Sequence, residues 1–256
     1  LRGYIFDLDG TVYLGERMIE GAAESIAKLR SRGDKVVFLS NKPIATRLSY
    51  ANKLTKMGIP TGVDDVLNSS LIVARHLRKT MKPGETVYVI GEEPIREELA
   101  AHGIVCTDKS EDASVVVLSW DRQFTYDKLN ALFQAALKGV PIIASNPDAT
   151  CPLEDGQLPD TGTFIAALET ALGKPAVVVV GKPSRIAAEA AVEHMGLDYG
   201  DCYVIGDRLE TDIRMANEAG MHSVLVLTGV GTREMAERGP DRPRTILPSI
   251  AKIADL

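Results

Sequence analysis

Short, almost wholly apolar runs punctuate the chain at residues 4–8, 35–40, 86–90, 114–119, 141–145, 176–180, 202–205 and 223–227. They are rich in Val, Ile, Leu and Tyr and too short for helices, so they read as strands buried on both faces. Between them, apolar residues recur at helical spacing over 22–32, 126–138, 164–172, 186–195 and 211–219. Glycines at 33, 103, 139, 173, 196 and 220 supply the stops for helical segments. Strand alternating with helix predicts an α/β fold with parallel sheet. A closed β/α barrel has a comparable length and strand number and is the competing architecture. Two polar breaks, at 79–85 and 173–175, favour two domains instead. The expected division is a core made of 1–79 and 174–256, with an α/β unit inserted at 80–173.

Composition narrows the choice of partner. The chain has 256 residues, 45% of them hydrophobic, enough to bury a full core. A net charge of −6, with Lys and Arg scattered, argues against nucleic acid or an anionic membrane surface as partner. No apolar run approaches the roughly 18 residues of a membrane span. Cys106, Cys151 and Cys202 are far apart and show no paired spacing, and no leader-like segment precedes the first strand. The expectation is a reduced, cytoplasmic protein. The four histidines form no ligand pattern.

The chemistry gathers at the carboxyl ends of the strands, where open parallel sheets bind ligands. The first strand runs into Asp7-Leu8-Asp9-Gly10-Thr11, the second into Ser40-Asn41-Lys42. The run at 176–180 ends in Gly181-Lys182-Pro183, the next in Gly206-Asp207 with Glu210 and Asp212 beyond, and the last in Thr228-Gly229. Each has an ordinary alternative: Asp9-Gly10 as a turn, Ser40 or Asp212 as a helix cap, Lys182 as a surface charge. Together they make an anion site with a metal. Asp7 and Asp207 can hold a hard cation, for which oxygen ligands favour Mg²⁺. Ser40, nearby backbone N–H groups and Lys182 can hold phosphoryl oxygens. A carboxylate there can attack phosphorus, and a second carboxylate two residues on can handle the proton of the leaving group.

The motifs Asp7-Leu8-Asp9-Gly10-Thr11-Val12, Phe38-Leu39-Ser40-Asn41, Gly181-Lys182-Pro183 and Gly206-Asp207-x-x-x-x-Asp212 resemble, in order, the four motifs of haloacid dehalogenase superfamily phosphatases. Their spacing is similar to the NagD-like, p-nitrophenyl phosphatase branch, with a Rossmann-like core and a large inserted α/β cap. Asn146-Pro147-Asp148, Pro152-Leu153-x-Asp155-Gly156 and Thr161-Gly162 resemble the cap signature of that branch. The resemblance implies Asp7 as nucleophile and Asp9 as acid/base. It implies Mg²⁺ bound by the Asp7 and Asp207 carboxylates and the Asp9 main-chain carbonyl, with Asp212 supporting the metal shell. It implies Ser40 and Lys182 as phosphate ligands, Asn41 as a shaper of their pocket, and Asn146, Asp148, Thr150 and Cys151 as cap residues that read the substrate. The implied activity is Mg²⁺-dependent hydrolysis of small phosphorylated metabolites such as sugar and aryl phosphates. A phosphomutase and a phosphometabolite-binding regulator are the alternatives, and a homodimer is suggested. The chain departs from the branch at Lys42, often Asn, at Asp160, often Gly, and at Cys151, which is not the His of pyridoxal-phosphate phosphatases. Cys151 reads equally as a small buried apolar residue.

Overall fold

The computed structural model describes residues 1–153 and 156–256. Asp155 of the cap signature lies outside the described residues. The chain forms two compact units, one of Leu1–Ser40, Arg47–Leu67 and Lys182–Leu256, the other of Asn41–Thr46 and Asn68–Gly181.

In chain order the elements begin with β1 (Gly3–Phe6), a hairpin of β2 (Tyr13–Leu14) and β3 (Arg17–Met18), α1 (Ala22–Ser31), β4 (Lys35–Ser40), α2 (Arg47–Lys56) and β5 (Val66–Asn68). Next come α3 (Ser69–Thr80), β6 (Val87–Ile90), α4 (Glu93–Ala101), β7 (Cys106–Thr107), β8 (Val115–Leu118), α5 (Tyr126–Leu137) and β9 (Ile142–Ala144). A hairpin of β10 (Thr150–Leu153) and β11 (Gly156–Pro159) leads to α6 (Thr161–Leu172) and β12 (Val177–Val179). The chain closes with α7 (Arg185–Met195), β13 (Cys202–Gly206), α8 (Arg214–Ala219), β14 (His222–Val226), α9 (Arg233–Arg238) and β15 (Thr245–Leu247).

The first unit is built on a six-stranded sheet in the order β15-β14-β13-β1-β4-β5. β1 pairs in parallel with both β4 and β13, so Phe6 stands level with Phe38 and Ile205. Later strands add outward from β1 in both directions. That reversal of order opens a crevice at the carboxyl end of β1, where Asp7 follows. β1 reads as an unbroken apolar run because both its faces are covered: Tyr4, Ile5 and Phe6 are fully buried. Tyr4 also stacks on Tyr203 at 5.1 Å between ring centroids.

The second unit has its own five-stranded sheet, β12-β9-β8-β6-β7, parallel at every pairing. Its core joins Ile90, Val116, Leu118 and Trp120 to Leu132, Phe164 and Leu168 of the covering helices α5 and α6. Two separate parallel sheets replace the barrel alternative. Among the described residues, no helix is long and apolar enough to cross a membrane.

The expected boundaries at 79–80 and 173–174 need correction. α3 starts at an Asn68 cap, whose side chain accepts from Leu71 N at 3.0 Å, and it packs against α4 in the second unit. The polar stretch 79–85 is therefore a turn within that unit, closed by Glu85 N donating to Lys82 O at 3.2 Å. β12 pairs with β9, so the apolar run before Lys182 completes the second sheet rather than the first. The helix expected over 211–219 begins instead as a π-helical turn over Leu209–Ile213, which continues into α8. The wider turn keeps Leu209 and Ile213 against Leu225 while Asp212 stays buried.

Candidate active site

Asp7 directly follows β1, and its backbone N–H still donates to Ile205 O at 2.8 Å, which fixes its direction. The chain then turns tightly, with Leu8 O accepting from Val12 N at 2.8 Å. Gly10 sits at φ +92°, a conformation open to glycine. A Cβ there would also lie 2.5 Å from Asp207 Oδ2, so this turn and Asp207 are packed together. Gly10 is held from two sides: its N–H donates to Tyr13 O at 2.8 Å, and its carbonyl accepts from Thr228 Oγ1 at 2.7 Å.

Lys182 lies in the loop before α7, whose N-terminus Ser184 caps, and is only 3% exposed. Its ammonium donates to Asp7 Oδ1 and Asp212 Oδ1, both at 2.6 Å. Asp207 follows β13. Its Oδ2 accepts from Val230 N at 2.7 Å, whereas its buried Oδ1 finds no hydrogen-bond partner among the described residues. Gly229 makes room for this carboxylate, since a Cβ there would lie 2.0 Å from Asp207 Oδ2. Oxygens of Asp7, Asp207 and Asp212 fall within 4.8 Å of one another.

Three acids therefore gather with one lysine, which touches two of them, leaving two negative charges in excess within the group when all are ionised. Burial pushes Asp7 up to about 6 against the pull of Lys182. Burial pushes Asp207 up to about 7, and the charges of Asp7 and Asp212 add to the rise. For Lys182 burial works the other way, but Asp212 and Asp7 outweigh it and hold its pKa above the ordinary value. The excess charge and the orphaned Asp207 Oδ1 fit a divalent, oxygen-seeking cation, which favours the ionised acids.

The structure thus gathers Asp7, Lys182, Asp207 and Asp212. Ser40 ends the neighbouring strand β4 and is 5% exposed. Asp9 enters the turn two residues after Asp7 and forms a bridge with Tyr13. The remaining candidates belong to the second unit, and three of them, Asn41, Asn146 and Asp148, are joined to one another. Asn41 Nδ2 donates to Asp148 Oδ2 at 3.1 Å, and Asn41 O accepts from Asn146 Nδ2 at 3.1 Å. Asn146 is fully buried, and its Oδ1 accepts from Asp148 N at 3.0 Å. Thr150 is exposed, and its Oγ1 donates to Gln157 Oε1 at 3.0 Å across the β10–β11 hairpin. Cys151 is 3% exposed within the apolar core of its unit, the environment of a small packing residue.

Asp160, where the sequence departs from the expected glycine, caps α6 by accepting from Thr161 N and Thr161 Oγ1. Burial pushes it up to about 6, with Asp148 adding to the rise and hydrogen bonds from Thr161 and Asn146 opposing it. Its folded pKa exceeds its unfolded value. Its contribution to stability is therefore complete below about pH 4 and is lost as pH rises through about 6. Asp160→Asn keeps a capping oxygen and removes the buried charge. Thermal unfolding of the variant and the parent should coincide near pH 4, and the variant should become more stable by on the order of 2 kcal/mol by pH 8.

Sequence reading did not find the contacts that brace these side chains. Thr228 and Val230 N follow β14 at a strand end whose polarity was visible, but their partners depend on the fold. Tyr13 and Lys53 gave no signal.

Comparison with known proteins agrees with this geometry. Residues 4–105 match a family model described as haloacid dehalogenase-like hydrolase, and residues 179–253 match a second, described as HAD-hydrolase-like. The sugar-phosphatase AraL of Bacillus subtilis is 42% identical over 99% of this chain and 92% of its own. A p-nitrophenyl phosphatase structure from Archaeoglobus fulgidus superposes with a TM-score of 0.92, at 34% identity, over 99% of this chain and 98% of its own. The structure of NagD from Escherichia coli K-12 gives a TM-score of 0.90 at 29% identity over 99% and 98% of the two chains.

Proposed function

The chain belongs to the haloacid dehalogenase-like hydrolases, as a phosphatase of their NagD-like branch, and on that premise we propose that it hydrolyses small phosphate monoesters through a phosphorylated Asp7. The observation that carries this reading is the buried Lys182 ammonium, 2.6 Å from both Asp7 and Asp212, beside an Asp207 oxygen with no hydrogen-bond partner among the described residues.

Lys182 directs Asp7 and neutralises part of the charge of an arriving phosphoryl group, and Ser40 adds a hydroxyl at the next strand end. An oxygen of Asp7 attacks phosphorus as the bond from phosphorus to the ester oxygen breaks. Asp9 gives its proton to that leaving oxygen. It then takes a proton from the water that attacks the phosphorylated Asp7, which frees inorganic phosphate and restores the carboxylate. Mg²⁺, held by Asp7, Asp207 and the Asp9 main-chain carbonyl with Asp212 behind them, would supply positive charge toward the phosphoryl oxygens.

Selection among leaving groups is assigned to the inserted unit, because every residue of the reaction core lies outside it and Thr150 is exposed on its hairpin. The names of the relatives make sugar phosphates and p-nitrophenyl phosphate the first esters to try.

The test is inorganic phosphate release across a panel of monoesters, with Mg²⁺ and after chelation. Expected is turnover of several esters that falls more than about 10²-fold on chelation and returns with Mg²⁺. Full activity after exhaustive chelation, or transfer of phosphate between substrates without release, would overturn the reading.

A further inference from the structure

The hairpin that follows Asp9 is held at its tip by one lysine from a separate element. Lys53 Nζ donates to Gly15 O at 2.7 Å and to Glu16 Oε1 at 2.8 Å. The same ammonium lies 4.2 Å from the centroid of the Tyr13 ring. It thus touches the first strand of the hairpin and both residues of its turn. Lys53 itself has a firm base, since Tyr50, Ala51 and Leu54 bury the inner face of α2.

Tyr13 connects this clamp to the chemistry. Its backbone accepts from Gly10 N at 2.8 Å and forms the bridge to Asp9. The Tyr13 side chain is itself buried beside this turn, only 4% exposed. The base of the hairpin is pinned at Gly10 by Thr228. β2 and β3 pair over two residues a side, and a two-stranded ribbon this short is marginal alone.

We propose that Lys53 is a positioning residue, which holds the β2–β3 hairpin where Asp9 can protonate the leaving oxygen. The proposal rests on the phosphatase reading. The Glu16 contact contributes least, because that side chain is 87% exposed. The Gly15 carbonyl and the Tyr13 ring are the contacts that fix the strand. Loss of the ammonium would leave Asp7, Lys182 and the attack on phosphorus in place and would loosen only proton delivery. That defect depends on the ester. An alkoxide needs the proton from Asp9 as the phosphorus–oxygen bond breaks, whereas nitrophenolate leaves without it.

The experiment compares kcat/KM for p-nitrophenyl phosphate and for an alkyl phosphate that the parent hydrolyses. This quantity covers the steps up to loss of the leaving group, before the shared hydrolysis of the phosphoenzyme. Lys53→Met should lower the alkyl value by about 10- to 100-fold and the aryl value by less than about threefold. Lys53→Arg, which keeps a cation for the carbonyl and the ring, should restore the alkyl value to within about threefold of the parent. Equal losses on both esters would show a merely structural lysine and overturn the proposal, as would no loss on either. A parent protein that releases phosphate from no ester would instead overturn the phosphatase reading.

Discussion

Asp7→Asn is expected to abolish phosphate release, with a loss of at least about 10⁵-fold, while the protein stays folded. An amide in this place cannot form the acyl phosphate, and no other carboxylate among the described residues has the same setting. Asp212 already shares Lys182 at 2.6 Å, and Asp207 Oδ2 is engaged by Val230 N. Stability should not suffer, because Lys182 keeps its bond to Asp212 and one buried carboxylate, already pushed up to about 6, disappears. Steady-state phosphate release and thermal unfolding check the two halves of this expectation. Residual turnover within about 10²-fold of the parent would mean that water attacks phosphorus directly, with Asp7 only a ligand.

Asp207→Asn should act through the metal rather than the nucleophile. Its Oδ1 is the buried oxygen that lacks a hydrogen-bond partner among the described residues, and its neighbourhood carries excess negative charge. An amide can still accept from Val230 N, so the turn after β13 should hold its course. It supplies no anionic oxygen, however, and one charge that attracts the cation is gone. The expected result is a loss of Mg²⁺ affinity of about 10²-fold or more, read by calorimetry. The rise in Tm that Mg²⁺ gives the parent should vanish at the same concentration. Activity at moderate Mg²⁺ should fall by at least about 10³-fold, and high Mg²⁺ should recover only part of it. Unchanged affinity would place the cation elsewhere.

The cluster of Asp7, Lys182, Asp207 and Asp212 is legible in the sequence for a physical reason. Parallel strands buried on both faces leave all-apolar runs, and the polar residue that follows each run marks a carboxyl end. Asp7, Ser40 and Asp207 therefore announced themselves without any tertiary information. Lys182 was found by the same rule, although its preceding strand β12 belongs to the other sheet. The boundary of the second unit is hard to read because β5 is only three residues long and leads directly into α3. The polar Asn68-Ser69-Ser70 between Leu67 and Leu71 is a short break, and the longer, more polar stretch at 79–85 outweighs it in the sequence. The two-residue strands β2, β3 and β7 carry too little pattern to detect. Contacts such as Lys53 to Gly15, or Asn41 to Asp148, join residues far apart in the chain. On a polar helix face, a lysine that clamps a hairpin looks like any solvated lysine.

The central claim is covalent: the phosphoryl group rests on Asp7 between loss of the alcohol and arrival of water. The most direct measurement is acid quench during turnover of a ³²P-labelled ester, followed by peptide mapping. Asp9→Asn is the variant of choice, since loss of the proton carrier slows hydrolysis of the intermediate. The expected result is base-labile phosphate on the peptide that contains Asp7, greater in Asp9→Asn than in the parent and absent from Asp7→Asn. Label on another residue, or label retained by Asp7→Asn, would contradict the account.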